Sequence, residues 1–164
     1  MTGASGMSDA SEAQTLVVVR TIAAPVAEVF EAWTDAELLA QWLAPGPLVV
    51  THASADPRPG GAYRIVATDP LGTEHVTTGE YREVTPPTRL VQTWVYHSHP
   101  TIDRYFTMLS VDFRETGPES TELTIRQELL LSDFDREGNR MGWAMCLNKL
   151  EALLTSRGTT RRLR

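Results

Sequence analysis

Two histidines and an aspartate lie close together in the middle of the chain, in a pattern that could bind a metal ion. His97 and His99 are separated by one residue, and Asp103 follows a few positions later. Alternate residues of an extended segment point the same way, and imidazole nitrogens and carboxylates are common zinc ligands. No third histidine stands nearby, and a polar loop at the end of a strand accounts for the same residues. We therefore expect no metal site and no cofactor.

A glutamine on an otherwise apolar strand face is the best candidate for a polar group inside a pocket. Gln127 is in phase with three apolar residues, Leu123, Ile125 and Leu129. A buried amide must find a hydrogen-bond partner. Gln127 therefore either orients a carbonyl or hydroxyl of a ligand or pairs with Tyr81 or a neighbouring strand. Tyr63 and Tyr105 are candidates for the same role.

The chain offers no clear catalytic pair and no phosphate-binding loop. A catalytic nucleophile needs an adjacent base, or a base tuned by burial. His52 and His75 fall singly on predicted strands, where a satisfied polar histidine is the ordinary outcome. The only cysteine, Cys146, lies near the buried stripe of a predicted helix and is expected to act as a small apolar side chain. Gly60-Gly61 leads into a strand rather than opening a helix, unlike a phosphate loop.

Length and charge narrow the class of protein. A chain of 164 residues fits one domain, and its net charge of -6 gives no basic footprint for nucleic acid outside the terminal run 161–164. A single cysteine cannot form an internal disulfide, and no apolar run approaches the ~20 residues of a membrane span. We expect a cytoplasmic protein that binds neither a membrane nor nucleic acid.

Composition also predicts the domain boundaries. Residues 1–14 are small and polar and lack the apolar segment of a signal peptide, so we expect a disordered leader. Residues 158–164 are expected to form a flexible basic tail. A single domain over residues 15–157 remains.

Apolar periodicity and turn residues predict the elements of the first two thirds of this domain. A strand at 16–20 is followed by a helix that begins after Pro25, and Asp35 caps a second short helix. Pro45-Gly46-Pro47 ends this helical pair. Four strands separated by proline and glycine turns follow, at 48–56, 63–68, 74–84 and 90–97. The pattern is typical of an antiparallel meander.

A long hairpin and a long helix complete the domain. Alternating residues pair the strand 107–113 with the strand 123–129, and the turn lies at 116–119. From Asp135 onward the apolar residues Trp143, Leu147, Leu150 and Leu154 form one helical stripe that we expect to pack on the sheet. Met141 and Met145 fall on the opposite side of this helix. They mark either a partner surface or a slightly rotated helix, and a homodimer is an open alternative.

Large side chains concentrate between the predicted sheet and the long helix. With Gln127 as the polar member, they form our candidate ligand-binding set: Phe30, Trp33, Trp42, Tyr63, Trp94, Tyr96, Phe106, Met108, Gln127 and Trp143. Core packing is the competing interpretation for each of them, because a close-packed domain of this size needs large side chains.

Three spaced motifs resemble one known superfamily. They are Trp33 with Trp42, the segment 58–63 (Arg-Pro-Gly-Gly-Ala-Tyr), and Gly142-Trp143, supported by Glu83–Leu90. From about Thr15 to about Ser156, the sequence resembles the SRPBCC superfamily of START-like, helix-grip proteins, in the branch similar to the C-terminal domain of the Hsp90 ATPase activator (AHSA1-like).

This resemblance implies an α+β helix-grip fold. Its parts are a curved antiparallel sheet of about six or seven strands, two short helices, and one long C-terminal helix that encloses an apolar pocket. The function implied first is binding of a hydrophobic or aromatic small molecule, polyketide- or lipid-like, in that pocket, and we lean against an enzyme.

The same resemblance leaves three alternatives. One is an enzyme similar to the polyketide cyclases and aromatases of the superfamily. Another is an antibiotic-resistance protein similar to START-like proteins that bind an enediyne and sacrifice their own backbone at a glycine, for which Gly60, Gly61, Gly79 and Gly117 are candidates by location. The last, which ranks lowest, is a chaperone-associated module.

Overall fold

The computed structural model describes the backbone of residues 14–163 and the side chains of residues 14–160. It contains seven strands and three helices within that part of the chain. In chain order they are β1 (Leu16–Ile22), α1 (Val26–Thr34), α2 (Ala36–Trp42), β2 (Val49–Ala55), β3 (Ala62–Thr68), β4 (Glu74–Thr85), β5 (Arg89–Tyr96), β6 (Tyr105–Gly117), β7 (Ser120–Glu128) and α3 (Asp133–Leu163). The predicted leader, apart from Gln14, lies outside the described residues.

All seven strands form one antiparallel sheet in the order β1-β7-β6-β5-β4-β3-β2. Every pairing except β1 with β7 joins strands that follow each other in sequence, which confirms the meander. The long helix α3 packs on one face of the sheet, and the bend of α1 and α2 fills the rest of that face. This architecture is the α+β helix-grip fold that the sequence predicts.

The two short helices are joined at Asp35, as predicted. The Asp35 carboxylate accepts a hydrogen bond from Leu38 N at 3.0 Å and so caps α2, while its own backbone N–H ends α1 at Glu31 O. Trp33 and Trp42 meet edge to face with ring centroids 4.8 Å apart. The indole N–H of Trp42 donates to Ala32 O at 2.9 Å. Both tryptophans are buried in the core.

The end of β7 differs from the sequence prediction. The strand stops at Glu128, and Leu129 has a positive φ of 71° and is 46% exposed. This left-handed turn breaks the period of two, so that Leu130 rather than Leu129 enters the core, where it is 1% exposed. The prediction that Leu129 continues the apolar face of Gln127 is therefore wrong.

The helix α3 is longer at both ends than the sequence suggests. It begins at Asp133 and continues through Leu163, over most of the segment that we expected to be a flexible tail. Trp143, Leu147, Leu150 and Leu154 are all buried, which confirms the predicted stripe. Lys149 Nζ donates to Leu48 O at 2.8 Å and holds the α2–β2 loop against the helix.

None of the helices within residues 14–163 combines the length and the hydropathy needed to span a membrane.

Candidate functional site

A cavity of about 440 Å³ lies between the sheet and α3. Its walls come from the α2–β2 loop, from the inner faces of β3 to β7, and from the first half of α3. Small-molecule sites usually measure roughly 300 to 1,000 Å³. The space between sheet and helix is therefore large enough for a ligand.

The cavity wall is mainly apolar. Trp94 and Trp143 meet at its centre with ring centroids 5.1 Å apart and planes inclined at 48°. The other apolar lining residues are Leu43, Pro45, Leu48, Ile65, Ala67, Leu130, Phe134 and Cys146. Phe134 is 87% exposed and thus lies at the mouth. Such a wall favours an apolar ligand, because burial of apolar surface is the main gain on binding.

Gln127 is held by a chain of hydrogen bonds through the core. Its Oε1 accepts from the indole N–H of Trp143 at 3.0 Å, and its Nε2 donates to Thr107 Oγ1 at 3.0 Å. Thr107 in turn donates to the carbonyl of Trp94 at 2.8 Å. Gln127 pairs with a neighbouring strand, not with Tyr81, and retains one N–H that faces no protein partner among these contacts.

Asp69, His75 and Tyr96 form a second chain at another part of the wall. His75 Nδ1 lies 2.8 Å from Tyr96 Oη, and His75 Nε2 lies 3.2 Å from Asp69 Oδ2. The other Asp69 oxygen accepts from the backbone N–H groups of Leu71 and Thr73, both at 2.9 Å. The backbone hydrogen bond from Thr73 and the contact with His75 hold the pKa of Asp69 below its ordinary value.

Tyr105, Asp135 and His99 form a third polar group. Tyr105 Oη donates to Asp135 Oδ2 at 3.0 Å and accepts from the backbone N–H of Leu131 at 2.6 Å. His99 Nε2 lies 3.5 Å from the other Asp135 oxygen. Its Nδ1 accepts from the backbone N–H of Thr101 at 3.2 Å. Burial raises the pKa of both Tyr105 and Tyr96, so both phenols keep their protons at neutral pH.

These two groups adjoin each other. Tyr96 on β5 is the direct partner of Tyr105 on β6, so the two phenols lie on the same face of the sheet. On the other side of β5, Tyr96 is paired with Thr77, two residues from His75. We name the set Asp69, His75, Tyr96, Tyr105, Asp135 and His99 the polar belt.

Four of the ten candidate ligand-binding residues line the cavity: Trp94, Tyr96, Gln127 and Trp143. Three others, Phe30, Trp33 and Trp42, belong to the packed core beyond it, since they are at most 6% exposed. Trp33 contacts Trp42, Phe113 and Trp143, and Phe30 contacts Phe113. Binding at the four lining positions remains a prediction.

The other three candidates also lie away from the cavity. Tyr63 is buried against Tyr81, and its hydroxyl donates to Thr93 O. Phe106 is 46% exposed and Met108 is partly exposed, whereas Tyr105, Thr107 and Leu109 are buried. The period of two along β6 therefore turns Phe106 and Met108 to the outer face.

Sequence reasoning missed most of the polar belt. His75 was expected to be isolated, but β4 and β5 bring it to Tyr96, and the tight β3–β4 turn brings Asp69 to it. The available signal was the period of two, which puts Tyr96 in phase with Trp94 on β5. The contribution of Asp135 could not be read from the sequence, because it depends on where α3 crosses the sheet.

The two histidines do not converge on a shared site, and the cysteine is a buried thiol. His97 Nε2 contacts Thr78 Oγ1 at 2.7 Å, while His99 faces Asp135, so the two histidines have separate partners. No group of three metal-ligating side chains occurs among the described residues. Burial raises the pKa of the Cys146 thiol to about 12, which leaves it protonated and unreactive at neutral pH.

Several solved structures are similar to this chain over most of its length. A protein from Nitrosomonas europaea is 26% identical, with a TM-score of 0.74 and coverage of 89% of this chain and 97% of that one. A protein from Rhizobium leguminosarum is 28% identical, with a TM-score of 0.71 and coverage of 87% and 94%. The AHSA1 protein from Silicibacter pomeroyi shares the fold, at 24% identity, a TM-score of 0.77 and coverage of 87% and 99%.

The comparison with curated proteins found no match. The family comparison did: residues 23–155 match the model described as Activator of Hsp90 ATPase homolog 1-like protein. This match spans both short helices, all strands except β1, and the part of α3 that lines the cavity. The chain therefore belongs to the Activator of Hsp90 ATPase homolog 1-like family, within the helix-grip superfamily.

Proposed function

We propose that this protein binds a hydrophobic, aromatic small molecule of the polyketide or lipid class in the cavity between the sheet and α3. The observation that carries the proposal is a cavity of about 440 Å³ with a mainly apolar wall in an otherwise closely packed domain. An empty apolar cavity costs stability. A protein that keeps one next to two tryptophans gains from filling it with a ligand.

The test uses native mass spectrometry of the protein with a panel of aromatic polyketides and lipids. The blocking variant is Gly138→Phe, because Gly138 lines the cavity and a Cβ at this position meets no atom within 4 Å. The matched control is Ala144→Phe, an exposed position of the same helix that does not line the cavity. We expect a complex with the wild type and the control but not with Gly138→Phe. Absence of any complex, or equal binding by all three proteins, would contradict the proposal.

An enzyme similar to the cyclases and aromatases is the second candidate. The chain Asp69–His75–Tyr96 favours it, because a phenol bonded to an imidazole that a carboxylate orients is an arrangement suited to proton transfer. The small molecule recovered from each complex decides between the two. An unchanged compound supports binding alone, while a changed compound that is no longer formed by His75→Gln supports catalysis.

The four glycines selected from the sequence do not support backbone sacrifice. Gly60, Gly61, Gly79 and Gly117 do not line the cavity. Gly60 adopts a positive φ of 87°, and a Cβ on Gly61 would overlap the carbonyl of Asp56, so both have structural roles in the turn before β3.

A further inference from the structure

The hydrogen-bond donors of the polar belt are already paired with acceptors within the protein. Asp69 is an ionised carboxylate and can only accept, so the proton on His75 must be on Nε2. At a pH where this imidazole carries a single proton, its bare Nδ1 lies 2.8 Å from Tyr96 Oη, and the Tyr96 O–H is then the donor. Tyr96 can then only accept a hydrogen bond from a ligand, through the lone pairs of its oxygen.

The donors of the second half of the belt are paired in the same way. Tyr105 donates its O–H to the Asp135 carboxylate and already accepts from Leu131 N. His99 Nδ1 accepts from Thr101 N, so the proton of the neutral ring is on Nε2 and points toward Asp135 at 3.5 Å. The groups that this half leaves open are again oxygen lone pairs.

We propose that the polar belt is an acceptor-only subsite that selects a ligand carrying a hydroxyl donor, a phenol or an alcohol, on its apolar body. This inference rests on the proposed function, because it names the polar end of the molecule that the cavity takes. A ligand hydroxyl donates to the phenol oxygen of Tyr96 or Tyr105, two residues that line the cavity from paired positions of β5 and β6. A carboxylate or an ether offers no hydrogen to these two phenol oxygens.

The amide donors of the wall lie outside the six belt residues. Asn139 gives one N–H to Asp135 O at 2.8 Å and keeps a second, and Gln127 lies farther away. Gln127 pairs with Leu109 on β6, four residues from Tyr105, which is about 13 Å along a strand. The hydroxyl of Thr77, opposite Tyr96, can rotate to donate or to accept. A ligand carbonyl thus finds its donors among Gln127, Asn139 and Thr77, while the six belt residues themselves accept a hydroxyl hydrogen.

The experiment compares probes that differ in this hydrogen alone. The protein is titrated by calorimetry at about pH 8, where an imidazole is ordinarily neutral, with 2-naphthol, 2-methoxynaphthalene, naphthalene and 2-naphthoate. We expect 2-naphthol to bind about tenfold more tightly than the methyl ether and naphthalene, and 2-naphthoate to bind most weakly. One well-placed hydrogen bond accounts for a ratio of this size.

Tyrosine-to-phenylalanine variants locate the effect. Tyr96→Phe and Tyr105→Phe should each lower the ratio of 2-naphthol to methyl ether affinity below about threefold, because phenylalanine keeps the ring and removes the acceptor oxygen. Tyr81→Phe, the same change at a buried tyrosine that does not line the cavity, should keep the tenfold ratio.

The outcomes separate the two proposals. If the wild type binds all probes alike, or 2-naphthoate most tightly, or if the ratio survives both cavity variants, the acceptor subsite is wrong while the binding function stands. If neither naphthalene nor 2-naphthol binds, or if Gly138→Phe binds them as well as the wild type, both proposals fail.

Discussion

Trp143 joins the core to the cavity. Its ring stacks on Trp33 with centroids 5.6 Å apart, meets Trp94 across the cavity wall, and donates its N–H to Gln127. It is only 4% exposed, although it lines the cavity. One side chain therefore both supports the fold and forms the floor of the proposed site.

Replacement of Trp143 should lower the stability of the fold through two separate losses, that of its ring packing and that of its hydrogen bond to Gln127. We expect Trp143→Ala to lower the free energy of unfolding by about 3 to 5 kcal/mol, the range for truncating a core aromatic ring. Trp143→Phe keeps an aromatic ring but leaves the buried Oε1 of Gln127 without its donor, which should cost about 1 to 3 kcal/mol. Urea unfolding followed by far-ultraviolet circular dichroism measures both. A loss below about 1 kcal/mol for the alanine variant would show that the ring is not part of the core.

Sequence patterns identified the large aromatic residues but could not separate those of the core from those of the cavity wall. Trp33, Trp42 and Trp143 are equally large and apolar, yet only Trp143 reaches the cavity. Phe106 could have been assigned to the outer face from the sequence, since Thr107 and Leu109 lie on the inner face of the same strand. Gln127 was placed correctly on that face, whereas its partners Thr107 and Trp143 come from two other elements.

Two glycines show how the elements constrain the chain in opposite ways. On β4, Gly79 lies beneath the ring of Tyr63 and beside Thr93 O, and a Cβ there would overlap both. On α3, Gly138 has open space where a Cβ would be. The first glycine permits a close approach of two strands, while the second only weakens its helix.

The same substitution should therefore have opposite effects at these positions. Gly79→Ala should destabilise the fold by at least about 2 kcal/mol, because the backbone of β5 has to move. Gly138→Ala should stabilise it by about 0.5 to 1 kcal/mol through helix propensity. Thermal unfolding of the two variants beside the wild type measures the difference. A Gly79→Ala protein as stable as the wild type would contradict the close packing of Tyr63 on β4.

The β3–β4 turn depends on the ionised form of Asp69. Its carboxylate binds the N–H groups of Leu71 and Thr73 and the ring of His75. The pKa of Asp69 is lowered in the folded state, so near pH 4 the native protein binds fewer protons than the unfolded chain. The resulting stabilisation is complete above the unfolded pKa of about 4 and is lost as the pH falls through the lower, folded value.

Asp69→Asn tests this dependence, because an amide keeps the shape of the side chain without the titration. We expect the wild type to be more stable than Asp69→Asn at about pH 5, and the difference in free energy of unfolding to shrink toward about pH 3. Urea titrations at several pH values supply the measurement. A difference that stays constant over this range would show that the carboxylate charge does not contribute.

For the molecule as a whole, the sequence predicted the order of strands and helices but not the cavity between the sheet and α3. Strands and helices follow from periodicity over neighbouring residues, and their prediction was confirmed for the meander, the long hairpin and the stripe of α3. The cavity depends on how far α3 stands from the sheet, which the loop contact of Lys149 with Leu48 helps to set. The polar belt assembles residues from position 69 to position 135, a separation that no local pattern covers.

A ligand that occupies the cavity should stabilise the folded protein, because it binds the folded state in preference to the unfolded chain. A compound that binds only the folded state adds about 2.7 kcal/mol at a hundredfold excess over its Kd. For a domain of this length the gain corresponds to a rise in Tm of about 5 to 10 °C.

We expect that rise for the wild type and for Ala144→Phe with 2-naphthol at such an excess, measured by differential scanning calorimetry. Gly138→Phe should show no rise, because its ring occupies the mouth of the cavity, whereas its Tm without ligand should equal or exceed that of the wild type. Comparing the Tm of Gly138→Phe with and without ligand distinguishes a blocked cavity from a damaged fold. If Gly138→Phe were stabilised as much as the wild type, the compound would bind elsewhere, and the space between the sheet and α3 would lose its assigned role.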